Sequence, residues 1–247
     1  MDGNTMFISK VKAFTKFYFD IAIDNKLALI FTLVFPVIYQ IIAERSMNVT
    51  NEYEFTSTIM PMTAYIIVST ALNGVTMPMI ATRDSGFIKA YYFASGSRWA
   101  IYIANLLVQT GIVILEISIF TIFMMVMYTY FSLKIFIVFL ITTLIVFPLI
   151  SLGFNFLLLM PVRQTSLSII ATALLLGLLV LLNLKVSGSL YIFYLVNPYV
   201  FIGGVFQLFL KLYLSKLLSI FIVAIVYIIV GCISFNKFDL QDRGRKA

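Results

Sequence analysis

Long apolar runs of bilayer length alternate with short polar connections along the chain. The runs fall at about 27–43, 57–80, 101–131, 135–160, 167–184 and 215–235. A helix needs about 20 mostly apolar residues to cross the hydrocarbon core. The pattern therefore predicts six transmembrane helices in one membrane domain over residues 27–240. A membrane β-barrel would show segments of about ten residues with alternating polarity, and no such alternation is present. The fold class is an all-α integral membrane protein.

Three stretches depart from this pattern. In residues 1–26, Phe7, Val11, Phe14, Tyr18 and Ile21 fall within roughly 80° of arc at helical spacing, opposite Lys12, Lys16 and Asp20. That predicts an amphipathic helix lying in the cytoplasmic interface. Because Lys10, Lys12 and Lys16 are interleaved with the apolar residues, the segment does not read as a cleavable signal. In the second stretch, 191–210, an apolar run is interrupted by Asn197-Pro198 and Gly203-Gly204. It predicts a re-entrant hairpin before the last span, its irregular backbone satisfied by surrounding protein. The third is a polar connection over 81–100. Gly86 offers a turn, Phe87 to Phe93 a short amphipathic helix around Lys89, and Ser95-Gly96-Ser97 a break. Ser97 is placed to cap the next helix, with Trp99 at interface depth.

Composition reinforces the class. The chain is 62% hydrophobic and 11% charged, against about 25% charged in soluble domains. The net charge of +7 is positional rather than a nucleic-acid footprint, and membrane lipid is the implied surface. With the N-terminus inside, one side of the membrane holds Lys10, Lys12, Lys16, Lys26, Arg83, Lys89, Arg98, Arg163, Lys237, Arg243, Arg245 and Lys246. The other side holds only Arg45, Lys134, Lys185, Lys211 and Lys216, beside Glu44, Glu52 and Glu54. This bias predicts a multi-pass protein of the cell membrane with both termini cytoplasmic, 241–247 forming a cytoplasmic tail. Asn48-Val49-Thr50 matches a glycosylation triplet, a weak three-residue signal.

Candidate chemistry is sparse. There is no GxxxxGK[ST] phosphate loop, no histidine and a single cysteine, Cys232. Nucleophilic triads and His- or Cys-based metal sites are excluded, and the chain reads as a non-enzyme without a cofactor of its own. Only Glu116 places a carboxylate inside a span. Such residues usually face a bundle interior or a water-filled path. Gln109, Asn155 and Ser118 are its candidate partners, with Glu116, Gln109 and Asn155 as candidate path-lining residues. Asn73, Asn105 and Asn183 are further intramembrane polar groups able to hold helices together.

With Arg83-Asp84-Ser85-Gly86, Lys89 and Ser97-Arg98-Trp99 following the second span, the chain resembles the ABC-2 family of transporter permeases. The amphipathic N-terminus, six spans and broken segment before the last span resemble that architecture too. Thr82 stands where the family commonly has an acid, no proline precedes Ser97, and Asn105 replaces a frequent basic residue. The resemblance implies the membrane half of an ATP-driven exporter. Two copies of a cytosolic P-loop subunit would bind ATP and magnesium, and the permease would form a homodimer or pair with a related permease. Arg83, Asp84, Gly86, Lys89 and Arg98 would then couple to the ATPase, while Asn197, Pro198, Gly203 and Gly204 would shape an outer gate. Its implied cargo is amphipathic or hydrophobic: a drug, a lipid-like molecule, or a peptide of the bacteriocin or phenol-soluble modulin kind. A stand-alone secondary transporter and a membrane assembly protein are the alternatives, although coupling charges in both halves and internal repeats are not evident.

Overall fold

A computed structural model of the chain describes residues 3–24, 26–43, 49–182, 191–211 and 214–238. Glu44, Arg45, Asn48, Asn183, Lys185 and the tail 241–247 lie outside the described residues. Among those described, the chain is helical and forms no strand. Helix α1 covers Gly3–Asp24 and α2 Lys26–Ala43. The next long segment is built from α3 (Glu52–Ser69), a π-helical segment (Thr70–Thr76) and α4 (Met77–Asp84). A short α5 (Phe87–Ser95) precedes α6 (Arg98–Met127). Helix α7 (Leu133–Gly153) tightens into a 3₁₀ segment (Phe154–Leu159), followed by α8 (Gln164–Leu181). Last come α9 (Tyr191–Leu195), α10 (Pro198–Lys211) and α11 (Leu214–Lys237).

Five segments are long and apolar enough to cross a membrane: Glu52–Asp84, Arg98–Met127, Leu133–Leu159, Gln164–Leu181 and Lys216–Lys237. The apolar stretches Thr32–Ala43 of α2 and Pro198–Leu210 of α10 are shorter. Local chemistry sets several helix starts. Ser97 Oγ accepts from Ala100 N at 3.4 Å, Ser132 Oγ from Ile135 N at 3.4 Å, and Asn51 Oδ1 from Glu54 N at 2.9 Å. Each satisfies one of the amide donors that a helix leaves open at its start. The cap read from Ser97 is therefore present.

Spans α7 and α11 approach closely where Gly231 meets Leu152. A methyl at Gly231 would lie 2.5 Å from the Leu152 carbonyl oxygen. Lipid gives helices no hydrophobic reason to associate, so close backbone packing at small residues does that work. Between α3 and α4, widening into a π turn releases backbone carbonyls. Asn105 Nδ2 on α6 reaches across to Gly74 O at 3.3 Å and Val75 O at 3.2 Å. The bulge is thus pinned to its neighbour.

Helix α1 makes a contact that its sequence reading did not include. Its apolar face forms as expected, with Val11 and Phe14 packed on the core, Tyr18 buried, and Lys12, Lys16 and Asp20 exposed. That face is turned to protein, because α1 packs extensively along α6. Phe14 and Phe17 meet Tyr91 of α5 at ring-centroid distances of 5.7 and 5.4 Å. Tyr18 Oη donates to Met79 Sδ at 3.8 Å. A row of aromatics is satisfied by a helical wall as readily as by lipid, and periodicity does not distinguish the two.

Candidate functional site

The polar connection over 81–100 folds into a node that joins several span ends. Arg83 ends α4, only 4% exposed. Its Nη1 donates to Leu158 O at 3.0 Å and Met160 O at 3.1 Å, its Nη2 to Val162 O at 2.8 Å, and its Nε to Asp84 Oδ1 at 2.8 Å. A planar guanidinium with five donors can serve this whole set, whereas an ammonium cannot. Asp84 uses its other oxygen to accept from Gln164 N at 2.6 Å, at the start of α8. A carboxylate there also complements the positive end of that helix. Arg83 and Asp84 therefore fasten α4 to the connection between the 3₁₀ segment and α8.

Helix α5 projects from this node. Gly86 (φ 75°) and Gly96 (φ 68°) bracket it in left-handed turns that favour glycine. Ile88 is buried, and Tyr91 stacks with Phe87 at 6.1 Å; burial raises the Tyr91 phenol above its ordinary range. Arg98 donates to Phe238 O at 2.7 Å and sits over the Tyr92 ring at 5.7 Å, tying α5 and α6 to the end of α11. Trp99 packs on Phe235 of α11 at 4.6 Å. On the open side of α5 lie Lys89, Phe87 at 58% exposure and Phe93 at 82%. Of the five residues expected to couple, Arg83 and Asp84 are consumed internally, Arg98 largely so, and Lys89 faces out.

Glu116, 3% exposed, sits past the midpoint of α6. Its Oε1 accepts from the Thr32 hydroxyl of α2, and its Oε2 from the Thr70 hydroxyl of the π segment at 2.8 Å. Beside it lies a small cavity of about 70 Å³, walled by Ile21, Ala22, Thr32, Thr70, Asn73, Gly74, Pro78, Gln109, Ile112 and Glu116. Gln109 shares this wall, but the hydrogen bonds to Glu116 come from Thr32 and Thr70. Asn155 is not on the wall: it lies fully buried in the 3₁₀ segment beside Tyr102. Ser118 is also elsewhere, donating to Ile114 O of its own helix at 2.7 Å. The true partners, Thr32 and Thr70, carry no sequence signal because threonine is ordinary in apolar spans.

The broken segment turns at Val196-Asn197. Asn197 Oδ1 accepts from Tyr199 N at 3.0 Å, and its Nδ2 donates to Leu178 O of α8 at 2.8 Å. Tyr227 of α11 donates to Val196 O at 2.7 Å, and Tyr199 to Leu175 O at 3.1 Å. Pro198 begins α10, and Gly204 lies against Leu195 and Ile220. Gly203 instead lines a separate cavity of about 520 Å³ with Phe206, Gln207, Met60 and the exposed Lys134–Glu52 ion pair. The four residues expected at an outer gate are therefore split between a buried turn and the wall of that cavity. No cluster of metal-ligating side chains occurs among the described residues. Comparison with protein-family models, curated proteins and solved structures returns no match to this chain.

Proposed function

We propose that the chain is the membrane subunit of an ATP-driven exporter for amphipathic or hydrophobic cargo, working with a separate ATP-binding subunit. The observation that carries this reading is α5: a short helix between two glycine turns, anchored to several spans, with Phe87, Lys89 and Phe93 turned outward. A force on that exposed face is transmitted through Arg83 and Asp84 to α8 and through Arg98 to α11. Aromatic residues such as Phe87 and Phe93 are the type enriched in protein-binding surfaces. We read the node as the cytoplasmic end, because it gathers Arg83, Lys89, Arg98, Arg163 and Lys237.

The same reading takes α2 as a sixth span. Its support is Gln40, which donates to Thr58 O and to Tyr128 Oη just beyond the far end of α6, both at 3.2 Å. It takes 191–210 as re-entrant. Tyr227 holds the Val196 turn about 20 Å along α11 from Leu214. From there α10 returns toward Lys134 and Glu52. Cysteines placed along 191–210 would test the topology through accessibility to membrane-impermeant reagents from the outside.

The coupling test is Phe87→Ala with Phe93→Ala. The double variant should insert normally but lose cargo-stimulated ATPase activity with its partner subunit. Unchanged stimulation would overturn the docking role of α5. One observation favours a second reading: Glu116, an intramembrane carboxylate with no cation on its cavity wall among the described residues, suits a stand-alone ion-coupled transporter. Transport that persists without nucleotide but collapses with the ion gradient would select it.

A further inference from the structure

We propose that the cavity beside Glu116 is a binding site for a single primary ammonium group, such as the amine of a cationic amphiphile. Both carboxylate oxygens of Glu116 accept hydroxyl donors, from Thr32 and Thr70, an arrangement that fixes the position of the carboxylate. Two neutral hydroxyls do not neutralise a buried negative charge, and no lysine or arginine lines the cavity among the described residues. An anion at this depth is costly unless it is paired. The open space, about 70 Å³, is enough to admit an ammonium group. Asn73 and Gln109 add polar amide groups to the wall, while Ile21 and Ile112 supply apolar wall for the carbon chain.

The walls come from five separate elements, α1, α2, the π-helical turn, α4 and α6. A cation drawn to Glu116 therefore competes with the Thr32 and Thr70 hydroxyls that link these elements. The site deepens the exporter reading by naming a cargo chemistry, but its test needs neither the ATP-binding subunit nor transport. A negative binding result would leave the α5 reading standing, and failed coupling would leave this site standing.

The probe is n-hexylammonium, titrated calorimetrically into the purified full chain in detergent, with n-hexanol and hexyltrimethylammonium as controls. The expected result is saturable one-site binding of hexylammonium, about tenfold or more tighter than either control. Hexanol lacks the charge, and the trimethylammonium head has no N–H to donate to the Glu116 carboxylate. Glu116→Gln should lower hexylammonium affinity by about tenfold or more and leave hexanol unchanged. If wild type does not saturate, or binds hexanol or the trimethylammonium probe equally well, the site is wrong. Equal hexylammonium binding by a folded Glu116→Gln variant would overturn it too. The comparison of probes on wild type decides the matter should that variant fail to fold.

Discussion

Arg83 and Glu116 are the two charged side chains buried among the described residues, and their surroundings are opposite. Arg83 donates to three backbone carbonyls and an adjacent carboxylate, so its charge is matched and its geometry fixed. Glu116 accepts two hydroxyls and faces a cavity. Buried charge is tolerated when hydrogen-bonded and paired, and where pairing is incomplete the group marks a place where something else binds or moves. The first is a rivet and the second an open socket.

The comparison is broken most directly at Arg83. Arg83→Ala should cost about 3–5 kcal/mol, because it strands Asp84 and three carbonyls; thermal unfolding in detergent would read this as sharply reduced folded yield. Reversal to Glu would do worse, so it tests folding rather than coupling. A smaller loss, about 1–3 kcal/mol, is expected for Gly231→Leu, whose side chain must displace Leu152 at the α7–α11 crossing. Asp84→Asn keeps an acceptor for Gln164 N but loses the charge beside Arg83, and should cost about 1 kcal/mol in the same assay. Glu116→Gln sharpens the contrast from the other side. It removes a buried charge while keeping a carbonyl for one threonine, so its melting temperature should match or exceed wild type while transport falls. The smallest effect belongs to Glu52→Gln, which breaks an exposed ion pair with Lys134 and should cost about 0–1 kcal/mol.

Sequence patterning anticipated what depends on neighbours in the chain. The cap from Ser97, the turns at Gly86 and Gly96, the short helix between them and the break at Asn197-Pro198 all follow from residues within a few positions of one another. The role of Arg83 was illegible because its acceptors are backbone carbonyls 75 to 79 residues away, and every residue has a carbonyl. The π-helical turn at Thr70–Thr76 was equally hidden, since Asn73-Gly74 in an apolar run fits an ordinary helix as well. For Glu116 the sequence located the charge but not the threonines that hold it. For α1 it found the apolar face but not the α6 wall that covers it. In each case the missing information was tertiary.

The exporter reading stands or falls on a partner at α5. Gentle affinity purification of the full chain from its native membrane, followed by quantitative mass spectrometry, measures this directly. A P-loop ATP-binding subunit should follow the wild-type chain in stoichiometric amount and be lost from the Phe87→Ala, Phe93→Ala variant. A clean, folded wild-type preparation without such a subunit would contradict the reading and turn attention to Glu116 as the coupling centre of an unpartnered transporter.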